Sequence, residues 1–187
     1  IKTINGISKV VSLEKTNIEE NMFDIEIDDD SHLYYSNGIL SHNTATVSSY
    51  LLWEGIFREN LTTGIAAQKA STAREVLSKI RQSFTLLPIW LIPGVTTFNK
   101  GRIDFENGCK FLTDSTSIDS FRGYSCNIVY VDECAYIKGT VWKEFTDAIL
   151  PTQAALSFTK TIFSSTANGF NHWYHIVQKA KKNIGKK

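Results

Sequence analysis

Residues 44–187 read as an α/β domain built on a parallel sheet, and residues 1–43 as a separate piece showing β signals alone. Three observations carry that division. Apolar strands alternate with helical periodicity after Thr44, whereas no helical period occurs before it. The charge also changes sign, because residues 1–43 hold 8 acidic and 3 basic side chains and residues 44–187 hold 11 and 17. A net of −5 against +6 suggests two units with different histories, the second able to lie against a polyanion.

The elements follow in order. Residues 7–13 are an apolar stretch, residues 22–27 alternate as a half-buried strand does, residues 32–35 form a third stretch, and Asn37-Gly38 marks a turn before Ile39-Leu40. So few strands bury no core alone, so this piece is expected to complete a sheet begun elsewhere. Residues 47–57 read as a helix whose start reaches back to Thr44, and residues 61–67 as a buried strand. Thr72 and Glu75 have capping-box spacing, after which Val76, Leu77, Ile80, Phe84 and Leu87 recur at helical intervals until Pro88. Residues 95–112 look like short strands joined by the hairpin signals Asn99-Lys100-Gly101 and Asn107-Gly108. Residues 127–131 and 159–163 are continuous apolar strands with a helix over residues 142–149 between them. Ligands of such sheets sit at the carboxyl ends of the strands.

With 42% apolar and 21% charged residues in 187, the composition is that of a globular protein, which sets aside disorder and fibres. No apolar run approaches the length of a membrane span, and the acidic residues 19–30 are unlike the cationic start of a signal peptide. The expected location is therefore cytoplasmic, with no membrane partner. Cys109, Cys126 and Cys134 are odd in number and show no C-x-x-C spacing, so they are expected to be reduced and structural. Ile1 is not an initiator methionine, so the reading begins inside a longer frame or follows processing.

The residues Ser41-His42-Asn43-Thr44 combine unusual chemistry. An Asn carboxamide can attack its own backbone carbonyl, close a succinimide and break the peptide bond that follows. A neighbouring His can protonate the leaving amine. A hydroxyl on the next residue can first accept an acyl group, and Thr44 has one. Taken as a bare triplet, His-Asn-Thr is more simply a polar loop. Its context is more specific: residues 22–44, MFDIEIDDDSHLYYSNGILSHNT, closely resemble the C-terminal signature blocks of inteins. The resemblance covers nearly all of residues 7–43. It implies a small all-β C-terminal intein fragment of the Hint type, with Asn43 as cyclising residue, His42 as its assistant, and Thr44 as first extein residue and branch nucleophile. Asp24 matches the conserved acidic position that assists transfer; His32 matches a conserved His and is equally open to a packing role. Splicing needs no cofactor. It does need an N-terminal intein half, absent from this sequence, which comes in trans or lies upstream of Ile1. Because split inteins of conventional division leave a C-terminal fragment of about this size, the resemblance implies a complementary fragment as partner and trans-splicing as the reaction.

Asn127-Ile128-Val129-Tyr130-Val131-Asp132-Glu133 has the form of a Walker B element. A buried strand delivers Asp132 to a sheet edge where a carboxylate can hold Mg²⁺, and Glu133 beside it can polarise water. Apolar strands ending in Asp-Glu also arise by chance. Ser164-Ser165-Thr166 at the next strand end would suit a hydroxyl sensor of a γ-phosphate, or simply a polar strand cap. No G-x-x-x-x-G-K-[ST] loop is present to grip a triphosphate. Thr44, however, starts a helix where the last residue of such a loop belongs. If splicing joins a fragment ending in Gly-Lys to Thr44, the loop is completed only by ligation.

From Thr44 onward the chain resembles the ATPase domain of tailed-phage large terminases, most specifically in LLPIWLIPG (86–94), FNKGRIDFENG (98–108), SFRGYSCNIVYVDECAYI (120–137) and SSTANGFNHWYHI (164–176). The resemblance implies a P-loop NTPase-type parallel sheet over residues 44–187 that uses ATP and Mg²⁺. Thr44 and Asp132 are then the Mg²⁺ residues, Glu133 the catalytic carboxylate, and Ser164, Ser165 and Thr166 the nucleotide-coupling motif. That motif keeps its hydroxyls but lacks the proline the family often has. Arg122 is open to facing phosphate or DNA, or to a structural ion pair. Implied partners are double-stranded DNA, the portal, the small terminase subunit and further copies in a ring, in the cytoplasm of an infected bacterium. A nuclease domain has no room in the sequence. His172, Trp173 and Tyr174 read as helix packing, and Lys179, Lys181, Lys182, Lys186 and Lys187 as a solvated basic run or a contact to DNA phosphates. Two other classes compete: a non-splicing, helicase-like DNA translocase with a β-rich N-terminal binding module, and a packaging accessory in which Asp132 and Glu133 are idle.

Overall fold

The computed structural model of the chain describes residues 2–3, 6–7, 34–36, 39–41 and 43–183. Four short strands, β1 (Lys2–Thr3), β2 (Gly6–Ile7), β3 (Tyr34–Ser36) and β4 (Ile39–Ser41), form an antiparallel sheet in the order β2-β1-β4-β3. Ser36 pairs with Ile39, leaving two residues between β3 and β4, where the sequence has Asn-Gly. The strand expected over residues 22–27 lies outside the described residues.

The larger unit comprises α1 (Asn43–Phe57), β5 (Thr62–Ala67), α2 (Ala70–Thr85), β6 (Val95–Phe98), β7 (Arg102–Phe105), β8 (Lys110–Ser115), β9 (Ile128–Val131), α3 (Gly139–Ala154), β10 (Lys160–Phe163) and α4 (His172–Asn183). Its six strands run in the order β10-β9-β5-β8-β7-β6. β10, β9, β5 and β8 are mutually parallel, whereas β7 and β6 are antiparallel additions beside β8. The expectation of a parallel sheet is therefore corrected to a mixed one. The reason lies in the connections. Parallel neighbours need a crossover of a dozen or more residues, but β6, β7 and β8 are joined by the short Asn-Lys-Gly and Asn-Gly turns, which permit only antiparallel pairing. Gly108 takes a φ of +83°, and a Cβ there would stand 2.2 Å from Asn60 Oδ1, so the second turn demands glycine.

The two-residue period of the strands sorts the core into two layers. Ile65, Ala67, Ile128 and Tyr130 face α1 and α2, where they meet Leu51, Leu52, Ala73, Val76, Leu77, Ile80 and Phe84. Ala66, Val129 and Val131 face the other side and pack with Trp142, Phe145 and Ile149 of α3. All three cysteines are free and buried. Burial pushes the Cys126 thiol up to about 12, so it behaves as a small apolar side chain.

Two helix boundaries differ from expectation. α2 starts at Ala70 after Lys69, with no side-chain cap, so Thr72 and Glu75 lie inside the helix and form no capping box. Core contact at Ala73, completely buried, draws the first turn earlier than local capping would. α3 runs five residues beyond the expected end at Ile149, through Pro151. Its last turn is held by Gln153, whose Nε2 donates to Cys126 O at 3.2 Å and whose Oε1 accepts from Thr161 Oγ1 at 2.9 Å. Those two bonds tie the helix to the start of β9 and to β10, offsetting the hydrogen bond that proline removes.

Candidate functional site

β9 is buried at every residue, and the chain stays in the sheet one residue further, Asp132 N–H donating to Ala66 O at 2.9 Å. The strand period puts Asp132 on the same face as Tyr130, the face that α1 covers. The Asp132 carboxylate, 7% exposed, is consequently held from several elements at once. Its Oδ1 accepts from Ser164 Oγ at 2.6 Å, Tyr130 OH at 3.0 Å and Glu133 N–H at 3.1 Å. Tyr130 OH and Ser164 Oγ are themselves 2.7 Å apart, closing a buried triangle of oxygens. Burial, and the Asp132 carboxylate beside it, push the Tyr130 phenol well above its ordinary value, so it stays protonated and serves as donor. The other carboxylate oxygen, Oδ2, faces Thr44 Oγ1 at 3.5 Å, the outer limit of hydrogen bonding.

The turn after Asp132 is shaped by tertiary contacts. Glu133 has φ 53° and ψ 41°, a left-handed conformation for a residue with a side chain, which costs on the order of 1 kcal/mol. It persists because its flanks are tied down. Cys134 N–H donates to Ser164 O at 3.1 Å and Ala135 N–H to Ser165 Oγ at 2.9 Å. Asn171 Nδ2 reaches Ala135 O at 2.7 Å, and His172 Nε2 meets Cys134 O at 2.7 Å while its ring stacks on Trp142 with centroids 4.9 Å apart. The outcome is an exposed Glu133 next to a buried Asp132 at the carboxyl end of a parallel strand. That is an arrangement in which one carboxylate can hold a cation while the other meets water.

The structure thus brings together Thr44, Asp132 and Ser164. Ser165 and Thr166 are turned toward the tip of β9 instead: Ser165 caps Ala135, and Thr166 Oγ1 lies 3.1 Å from Tyr136 OH. Arg122 forms an exposed ion pair with Asp119 at 2.9 Å, and it makes no contact with the Asp132 cluster among the described residues. Asn43 is the first residue of α1; Asp24, His32 and His42 lie outside the described residues. Lys179, Lys181 and Lys182 are exposed on α4, while Lys186 and Lys187 lie outside the described residues. Sequence reasoning missed Tyr130 and the backbone clamp made by Asn171 and His172. For Tyr130 the signal was present: a polar-tipped aromatic two positions before Asp132 must share its face.

A carboxylate and a hydroxyl on one site suit Mg²⁺, which takes one or two protein oxygens and keeps water or phosphate oxygens in its remaining positions. The residues fit the ion. They do not by themselves fit a triphosphate, because Ile39-Leu40-Ser41-His42-Asn43 stands where a glycine-rich loop with its Lys is needed.

Residues 43–187 match the family model for the terminase large subunit, T4likevirus-type, N-terminal. Among solved structures, the HK97 bacteriophage large terminase superposes with a TM-score of 0.64 at 19% identity, over 76% of this chain and 31% of that one. The Thermus phage P74-26 large terminase ATPase domain superposes with a TM-score of 0.53 at 22% identity, over 71% of this chain and 58% of that one. The chain therefore spans less than two thirds of either relative, and at these identities the likeness is one of fold. The fold they share is a mixed α/β sheet, and the family match over residues 43–187 shows that this chain belongs to the terminase large subunits of T4likevirus type, as their N-terminal part.

Proposed function

We propose that this chain is one half of a split precursor. Residues 1–43 act as a C-terminal intein fragment of the Hint type, and splicing at Asn43–Thr44 gives an ATP-hydrolysing motor subunit that packages double-stranded DNA into proheads. The observation that carries the reading is the double duty of Thr44. It follows His42-Asn43 directly, and its hydroxyl stands 3.5 Å from Asp132 with no phosphate loop before it.

In the splicing half, Thr44 Oγ attacks the ester or thioester that links the upstream segment to the first side chain of the N-terminal intein half. That link breaks, its oxygen or sulfur leaves with the Thr44 hydroxyl proton, and the acyl group is carried on Thr44 Oγ as an ester. The Asn43 side-chain nitrogen then attacks the Asn43 carbonyl carbon, the C–N bond to Thr44 breaks, and His42 gives the departing Thr44 amine its proton. The acyl group moves from oxygen to that amine, leaving an ordinary peptide bond. Asp24 and His32 assist the earlier transfers.

In the ligated protein, Asp132 and Thr44 hold Mg²⁺, which when bound neutralises phosphate charge. Glu133 takes a proton from the attacking water, and Ser164, Ser165 and Thr166 couple the nucleotide state to the tip of β9. Arg122 is left for phosphate or DNA once its weak surface pair with Asp119 opens. Partners of the assembled motor are the upstream fragment, DNA, the portal, the small subunit and further copies in a ring, in the cytoplasm of the infected host.

The test is to mix this chain with the complementary precursor and follow masses. A longer ligated protein and a free fragment of residues 1–43 are expected, with magnesium-dependent ATP turnover appearing only after ligation. Asn43→Ala should abolish release. An intact Asn43–Thr44 bond, together with brisk hydrolysis by this chain alone, would overturn the proposal in favour of a non-splicing translocase.

A further inference from the structure

Glu133 keeps a left-handed backbone, φ 53° and ψ 41°, although its side chain makes that conformation unfavourable. Glycine would hold the same turn without strain, but glycine carries no carboxylate. Released from its surroundings, a residue of this kind relaxes toward negative φ, and the direction of its side chain turns with the backbone. The groups that keep φ positive therefore also aim the Glu133 carboxylate.

Those groups come from the segment of residues 164–172, which bonds both amides and both carbonyls of the two residues after Glu133. Cys134 N–H donates to Ser164 O at 3.1 Å, and Ala135 N–H to Ser165 Oγ at 2.9 Å. Cys134 O accepts from His172 Nε2 at 2.7 Å; Ala135 O accepts from Asn171 Nδ2 at 2.7 Å and from Asn168 Nδ2 at 3.2 Å. A carbonyl can only accept, so His172 carries a proton on Nε2. Gly169, at φ +70°, reverses the chain so that Asn168 and Asn171 converge on the same oxygen.

Asn171 and His172 each have a second anchor. Asn171 divides its carboxamide: Oδ1 accepts from Trp173 N–H at 3.0 Å and caps the start of α4, while Nδ2 holds Ala135 O. The His172 ring stacks on Trp142 of α3 with centroids 4.9 Å apart. Both side chains are thus fixed by a helix while they grip the turn, as a group must be that holds another in place. The Asp132 carboxylate is held by other groups, Tyr130 OH, Ser164 Oγ and Glu133 N–H.

We propose that Asn171 and His172 are positioning residues for hydrolysis: at the start of α4 they hold the backbone after Glu133 in the conformation that presents its carboxylate to water. The proposal rests on the reading of Glu133 as the carboxylate that takes a proton from the attacking water. Because Asp132 is held independently, loss of the clamp should slow the chemical step and leave nucleotide binding in place.

The test pairs variants that separate packing from hydrogen bonding. His172→Phe keeps a ring against Trp142 and removes the donor; His172→Gln returns a donor without the ring. Asn171→Asp keeps the cap on α4 and replaces the donor to Ala135 O with an acceptor. In ligated protein prepared by direct expression, His172→Phe and Asn171→Asp should each lower kcat for ATP about tenfold to a hundredfold. KM and the affinity for a non-hydrolysable ATP analogue should stay within about twofold. His172→Gln should recover most of what His172→Phe loses. In this chain as it stands, His172→Phe and Asn171→Asp should speed backbone hydrogen exchange about tenfold at Cys134 and Ala135 and leave Ile65 and Val129 unchanged. Should one variant not fold, the other decides. Faster exchange at Ile65 and Val129 as well would mark a general loss of stability and overturn the proposal. So would unchanged kcat, or a raised KM with kcat intact. Glu133→Gln in the ligated protein separates the two readings. If it abolishes turnover while the clamp variants do not, only the positioning role fails; if turnover survives it, the assignment of Glu133 fails and the role of the clamp with it.

Discussion

Thr44 Oγ1 lies 3.5 Å from Asp132 Oδ2 across a separation of 88 positions. The first sits in the opening turn of α1 and the second at the end of β9, so packing of that helix on the sheet is what makes them neighbours. A contact this long adds little to stability, yet it brings a hydroxyl and a carboxylate, both oxygen ligands, to face each other. In ligated protein prepared by direct expression, Thr44→Val should lower magnesium-dependent ATP turnover about a hundredfold while changing unfolding free energy by less than about 1 kcal/mol. Steady-state hydrolysis and urea titration measure the two. Turnover equal to that of the unmodified protein would remove Thr44 from the cation site.

Tyr130 OH donates to Asp132 Oδ1 and lies 2.7 Å from Ser164 Oγ in the buried triangle. Tyr130→Phe keeps the ring in the core but leaves Asp132 and Ser164 each one partner short. The expected cost is about 1–2 kcal/mol of stability, read from urea midpoints. Ser164→Ala in the same background should then cost more than its own single effect, because two donors to one carboxylate oxygen are coupled. Strict additivity would show that the triangle does not act as a unit.

Glu54 is 1% exposed and receives hydrogen bonds from Tyr50 and Arg58, with Lys160 Nζ at 3.4 Å from its Oε1. Burial alone pushes its carboxyl up, but the bonds from Tyr50 and Arg58 outweigh burial and hold it below its ordinary value. A carboxyl lowered by folding contributes stability that is fully present above the unfolded value of about 4.3. That contribution is lost as pH falls through the lower folded value. Glu54→Gln should therefore destabilise by about 2 kcal/mol at neutral pH, and the gap to the unmodified protein should close on acidification below the carboxylate range. Thermal unfolding of both proteins across that range is the measurement; a gap that stays constant in acid would assign the loss to packing.

Much of the architecture was legible because its signals are local. The alternation of apolar strands and amphipathic helices after Thr44, the Asn-Gly turn with its left-handed Gly108, and the strand delivering Asp132 all follow from periods of two and 3.6 residues and from turn chemistry. Where reading failed, a distant contact had outvoted a local preference. Gln153 carries α3 through Pro151, and buried Ala73 starts α2 ahead of the Thr72 and Glu75 signature. In the site, Asp132 and Glu133 were visible as a pair, but the part played by Tyr130 depends on Ser164 lying across the sheet.

By itself, the sequence determined the residue types available for chemistry: an Asn followed by a hydroxyl at 43–44, an Asp-Glu pair ending a buried strand, and hydroxyls ending the next. Tertiary structure alone decided which of these share a site. It drew Thr44 and Ser164 to Asp132 and turned Glu133 into a left-handed conformation. The physical reason is range. Turn, strand and helix preferences act over a few residues, whereas a site at the carboxyl end of a parallel sheet is assembled by crossovers that bring together positions dozens of residues apart.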